Sequence, residues 1–227
     1  PDGIMAPGDN GMLGLDPATL ISSIIVLLVA FPIHEFAHAL TATWFGDDTP
    51  ERNGRLTLNP LAHLDVMGSL LLLVAGFGWA KPVPINPYTL ERRAPSAVMW
   101  VSLAGPFSNL LLAILAAIPF RLGLVSAAVG FSPANGILPS LDKVLVMFVY
   151  LNLALLFFNL IPLDPLDGAK VLDFLLPDHL ARAYDRIRPY SPIILLLLVI
   201  GGSFLGFSVL SAIIGPPISF LFRLLIG

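Results

Sequence analysis

Residues 16–48 read DPATLISSIIVLLVAFPIHEFAHALTATWFGDD, and this stretch decides how the rest of the chain is read. Asp16 followed by Pro17 is a helix start. The first side chain can cap free N–H groups, and the second is already fixed at helical φ where no N–H partner exists. The apolar run then continues to Phe45 and closes at Gly46-Asp47-Asp48. It exceeds the roughly 20 residues a helix needs to cross a bilayer. Its second half nevertheless carries His34, Glu35 and His38. An ionisable group near the bilayer centre costs roughly 2.5–3.5 kcal/mol on insertion scales, so three within five residues need a compensating partner. Positions i and i+4 share a helix face, so both imidazoles can reach one metal ion. Glu35 can bond a water on that ion without being a ligand itself. With four His and three Glu in 227 residues, a chance match is on the order of one in a thousand. The structural alternative is a polar cluster satisfied between helices.

Composition agrees with a bilayer setting. Of the 227 residues 56% are hydrophobic and 12% charged, against roughly a quarter charged in soluble domains. A net charge of -3 gives no sign of a nucleic-acid partner. There is no cysteine, which excludes disulfides, thiolate chemistry and any Cys-containing zinc site. A metal here must be held by His, Asp, Glu or water. Residues 1–15 are expected to be a loose, Gly-rich truncated or appended tail without signal-peptide pattern. Residues 16–227 are expected to be one membrane-embedded domain.

The expected fold is an all-α polytopic membrane protein with about four transmembrane helices. Beyond the first run, Ser96–Phe120 and Leu141–Leu163 are of spanning size, as is Pro192–Ile214, which stops at Gly215-Pro216-Pro217. The remainder, Ile218–Ile226, is too short to cross alone and is expected along the interface. Lys81, Arg92 and Arg93 precede the second span, and Lys170, Arg182, Arg186 and Arg188 follow the third. The loop between has only Arg121 and Lys143, so the two basic loops are expected on the cytoplasmic side. Val66–Gly78 is apolar but short. With both ends on one side it reads as a re-entrant segment, and otherwise as a short tilted span. Gly54–Leu58 and Gly78–Ile85 alternate and hold β-formers, so short strands near the active site are expected. Pro82 and Pro84 make the second an edge strand.

A catalytic zinc takes three protein ligands and leaves a fourth place open. Asp164 and Asp167 at the end of the third span are the candidates for the third ligand, and spacing does not separate them. His63 is a further possibility but sits next to loop structure, and with Asp65 it reads first as a structural pair, or as a partner behind a ligand. His179, in the charged stretch Asp178–Arg188, reads as a surface residue.

His34-Glu35-Phe36-Ala37-His38 in a membrane helix, with Asn159-x-x-Pro162 and Leu166-Asp167-Gly168 downstream, resembles the site-2 protease family of intramembrane metalloproteases. Gly54–Pro60, Gly78–Pro84 and Leu103-Ala104-Gly105-Pro106 with Asn109 are similar to its short prokaryotic members, without PDZ or CBS modules. The resemblance implies His34, His38 and Asp167 as ligands of one Zn2+. It also implies Asn159 as a catalytic residue steadying the substrate carbonyl, and Asp164 departs from the pattern. Glu35 is the expected catalytic base. The implied substrates are single-span membrane proteins, such as an anti-sigma factor or a membrane-bound transcription factor, cut in or near their spans in regulated intramembrane proteolysis. The expected location is the cell membrane, with the active site toward the cytoplasm. An edge strand at Gly78–Ile85, anchored by Trp79, is the expected platform for an extended substrate. Small residues around Gly105 and Asn109 read first as helix packing. Pro32 either opens the first helix ahead of the motif or is a tolerated membrane proline. Two other functions compete: an interfacial metalloprotease, and a membrane metal-binding transporter or sensor.

Overall fold

In the computed structural model, residues 16–65, 68, 81–132, 136–205 and 208–227 are described. The first helix, α1 (Pro17–Trp44), starts as its sequence demands. Asp16 accepts from the Thr19 backbone N–H at 3.0 Å and from its hydroxyl at 2.6 Å. Pro32 is buried inside it and the helix runs on without a break, the behaviour of a tolerated membrane proline. Gly46, at φ 88, takes the left-handed conformation that ends the run. Two short helices follow, α2 (Thr49–Arg52) and α3 (Pro60–His63), then α4 (Pro87–Arg93). Asp47 is almost fully buried between them, accepting from Thr49 N–H at 3.0 Å and from Asn86 N–H at 2.6 Å. It thereby ties the end of α1 to the segment that leads into α4.

The remaining helices are α5 (Ala97–Arg121), α6 (Ala127–Phe131), α7 (Leu141–Asn159), α8 (Asp167–Leu175), α9 (Asp178–Ile187), α10 (Ser191–Leu205) and α11 (Val209–Ile226). Among the described residues, four helices are long and apolar enough to cross a membrane: α1, α5, α7 and α11. The main core joins Ala113, Ala116 and Ala117 of α5 to Val146, Val149 and Leu153 of α7, with Ile218 of α11 against them. Alanines on one face let two backbones approach closely, the usual means of helix association in a bilayer. Lys143 at the start of α7 pairs with Asp16 at the start of α1, at 3.5 Å. Ala42 near the end of α1 packs with Ala97 at the start of α5. So α1 and α7 run the same way and α5 runs against them. Arg121, closing α5, donates to the Leu224 and Leu225 carbonyls at the end of α11.

Two expectations need correction. The fourth span is not Pro192–Ile214: the apolar run is divided, and the span-length helix is Val209–Ile226. Ser208 starts it, accepting the Ser211 N–H at 3.1 Å, and the helix continues through Gly215-Pro216-Pro217 to Ile226. In a bilayer, neighbouring helices and local adjustment take up the backbone groups that proline frees, so the pair is no stop signal there. Ile218–Ile226 is thus the second half of a span-length helix.

The other correction concerns Gly54–Leu58, which forms turns and bends and no strand. The buried Arg55 guanidinium holds this loop, donating to the carbonyls of Ala62 (2.5 Å) and Lys81 (3.3 Å), so the backbone wraps a cation where strand pairing was expected. Among the described residues there is no sheet; Lys81–Ile85 has no regular secondary structure. The re-entrant reading of Val66–Gly78 and the strand residues 78–80, with Trp79, lie outside the described residues, Gly68 excepted.

Candidate metal centre

His34 and His38 stand one turn apart on α1, and Asp167 opens α8 across from them. His34 Nε2 and His38 Nε2 are 3.0 Å apart, and Asp167 Oδ2 lies 3.3 Å from the first and 3.2 Å from the second. All three residues are buried. Each ring is held from behind. His38 Nδ1–H donates to the Val101 carbonyl at 2.7 Å, and His34 Nδ1–H donates to Asn109 Oδ1 at 2.6 Å. With both protons on Nδ1, both Nε2 lone pairs face inward, where they meet a carboxylate oxygen. Three acceptors at such separations repel one another unless a cation lies among them.

Local sequence explains the convergence. Gly105 of α5 faces both rings, and a Cβ there would sit 2.5 Å from His34 Nε2 and closer still to His38 Nε2. The donor atoms occupy the space that any other residue would fill. Gly168 does the same for Asp167: a Cβ at 168 would collide with the Leu160 carbonyl, so only glycine lets α8 begin this close to the end of α7.

Glu35 lies beside the donor trio without joining it, and its Oε2 accepts the Val83 N–H at 3.2 Å. Pro82 and Pro84 flank that donor and have none themselves. Lys81 N–H is engaged by the His63 carbonyl at 2.7 Å, and Asn86 N–H by Asp47. Of the N–H donors on 81–86, those of Lys81, Val83 and Asn86 are thus engaged within the chain. A cavity of about 810 Å³ opens over the group, lined by Glu35, Asn159, Asp167 and Lys170 among mainly apolar walls. Asn159 reaches this cavity, while its Nδ2 donates to the Leu155 carbonyl of its own helix at 2.9 Å.

The other candidates stand apart. Asp164 accepts from Arg188 Nε at 2.6 Å, and the same guanidinium reaches Asp173 at 2.8 Å. His63 Nε2–H donates to the Thr57 carbonyl at 2.8 Å; Asp65, expected to be its partner, accepts from the Gly68 N–H. His179 is exposed. Among the described residues, the His, Asp and Glu atoms able to share one ion belong to His34, His38 and Asp167. Asp164→Asn is accordingly expected to leave metal affinity within about twofold of wild type in chelator competition, whereas loss of a direct ligand should exceed the roughly 10–100-fold typical of a partner behind one. Sequence reasoning passed over the Val83 N–H, the Val101 carbonyl and Asn152. The first two are backbone groups and carry no residue signal. Asn152 did carry one, as a lone amide in an apolar span.

A family model described as Peptidase family M50 matches residues 122–201, a stretch that contains Asn159 and Asp167. The chain is 41% identical over 191 residues to "Putative zinc metalloprotease YwhC" of Bacillus subtilis, covering 83% of this chain and 85% of that one. It is 35% identical over 179 residues to Rip2 of Mycolicibacterium smegmatis, named in the same way, over 76% of this chain and 64% of that protein. Rip2 of Mycobacterium tuberculosis is 32% identical over 187 residues, covering 79% and 66%. No solved structure matches. Identity at that level along nearly the full length of YwhC, together with four span-length apolar helices, places the chain as a multi-pass membrane protein that belongs to the site-2 protease family, peptidase family M50.

Proposed function

We propose that this protein is an intramembrane zinc metalloprotease that hydrolyses peptide bonds in or near the transmembrane segments of membrane-anchored regulatory proteins. His34, His38 and Asp167 hold the zinc, Glu35 is the general base, and the cavity faces the cytoplasm from the cell membrane. One observation carries the reading. The three donor atoms form a triangle with sides of 3.0, 3.2 and 3.3 Å. Tetrahedral zinc at about 2.0–2.1 Å from N and O ligands requires edges of about 3.3 Å. Two imidazoles and a carboxylate also match the usual donor set of a catalytic zinc with one position left open. The names of the relatives, which call them zinc metalloproteases, point the same way.

Zinc bound there would supply Lewis acidity toward water and toward the scissile carbonyl. The chain's own residues do the rest. Glu35, aimed by the Val83 N–H, takes the proton of the attacking water and returns it to the leaving amine. Asn159, once turned from the Leu155 carbonyl, offers an amide N–H to the developing oxyanion, a contact typically worth about 3 kcal/mol. The apolar walls of the cavity suit an unwound membrane segment, and its open side admits water.

The test is cleavage itself. Purified, zinc-loaded protein in detergent is incubated with single-span membrane proteins, and the cut is mapped by mass spectrometry. A zinc-dependent cut inside or at the edge of the span is expected. Cleavage confined to soluble peptides would refute the intramembrane assignment, and chelator-resistant cleavage would refute the metal mechanism.

A further inference from the structure

His38 and His34 are held by acceptors of different kinds. The Val101 oxygen is a backbone carbonyl in the second turn of α5, so it can only accept and cannot turn over. Asn109 is a side-chain amide, with an oxygen on one side and an NH2 on the other. Turned about its last bond, it would present a donor to His34 Nδ1 and push the ring proton onto Nε2, straight into the metal position. Something must hold it the right way round.

The structure supplies a directional chain. Asn152 of α7 donates through Nδ2 to the Phe148 carbonyl at 2.9 Å, and that oxygen accepts only. Its Oδ1 is thereby left toward Asn109, where it accepts from Asn109 Nδ2 at 2.9 Å. The Asn109 oxygen is then left for the His34 Nδ1–H at 2.6 Å. Both asparagines are fully buried, 0% exposed, so bulk solvent does not compete for either role. Each step is fixed by the one before, starting from a backbone carbonyl on the third long helix.

We propose that Asn152, acting through Asn109, is a positioning residue that sets the tautomer and aim of His34, so that α7 as well as α1 and α8 determines metal affinity. The inference rests on the metal reading above. In its polar groups α7 then has two levels, Asn152 behind the ligands and Asn159 at the cavity, seven residues apart and therefore on nearly one face of the helix.

A double-mutant cycle read as zinc affinity, by chelator competition on the detergent-purified protein, tests it. Asn152→Leu removes the lock and is expected to weaken zinc binding 10–100-fold, the usual range for a partner behind a metal ligand. Asn109→Asp can only accept toward His34, whichever way it turns, but it also sets a carboxylate oxygen against Asn152 Oδ1, which loses its donor. In that background the lock is redundant, so adding Asn152→Leu should cost less than about threefold more. A role in packing alone would cost the same in both backgrounds. Equal losses in the two backgrounds, or wild-type affinity in Asn152→Leu, would each overturn the relay. If Asn152→Leu does not fold, Asn152→Ala withdraws the same acceptor with less bulk and carries the same expectation. A wild-type protein that binds no zinc would instead overturn the metal reading itself.

Discussion

Glu35→Gln abolishes cleavage and leaves zinc in place: that is the result expected of purified variant protein assayed for turnover and for metal content. Gln is isosteric, and its side-chain oxygen can accept the same Val83 N–H that now holds the carboxylate at 3.2 Å. Neither imidazole nor Asp167 depends on Glu35 for its position, since their outer contacts run to Val101, Asn109 and the neighbouring ligand atoms. Only the capacity to take a proton is lost. General-base catalysis typically contributes 10²–10⁴-fold, about 3–5 kcal/mol of barrier, so turnover should fall by that much with zinc near one per chain. Glu35→Asp keeps the charge but shortens the reach by one methylene and should also fall, by less. Zinc lost together with activity in Glu35→Gln would make Glu35 a ligand, and near-normal turnover would remove it from the mechanism.

That experiment concerns the part of the molecule most legible in the sequence. Spacing on one helix face is a local property, so His34, Glu35 and His38 could be grouped before any tertiary contact was known. The same holds for α1, α5 and α7, whose apolar runs bound them within a few residues, and for the start of α1 at Asp16. What failed was local chemistry read in the wrong solvent. Gly215-Pro216-Pro217 ends a helix in water, but α11 continues through it, and the true start at Ser208 was hidden inside an apolar run. Gly54–Leu58 failed differently, because the alternation was real while Arg55 between its apolar neighbours had a buried destination. The choice between Asp164 and Asp167 was not local at all. Arg188, more than twenty residues downstream, pairs with Asp164, while Asp167 faces the two imidazoles.

Gly105 was legible as a small residue for helix packing, and its position against His34 and His38 was not. The expectation for Gly105→Ala therefore runs against the ordinary rule. Alanine in place of glycine inside a helix normally stabilises, by roughly 0.5–1 kcal/mol, because the unfolded chain has less freedom to lose. At 105 the added methyl would lie 2.5 Å from His34 Nε2 and 2.6 Å from its Cε1, nearer still to His38 Nε2. Imidazole rings usually swing aside, but these are pinned behind by Asn109 and Val101. Relief must come from breaking those bonds or from moving α5 off α1, where Ala42, Ala97 and Val101 are fully packed. Either response separates the two nitrogens from Asp167, and zinc affinity should drop more than about 100-fold, beyond the range for losing an outer partner. Gly215→Ala, also within a helix but with nothing within 4 Å of its added Cβ, is the matched control and should bind zinc as wild type does. Both variants should keep the wild-type helical circular dichroism and elution volume, because the metal centre alone is under strain at 105. A Gly105→Ala protein with wild-type zinc affinity would mean that the two imidazoles do not converge on an ion at this face of α5.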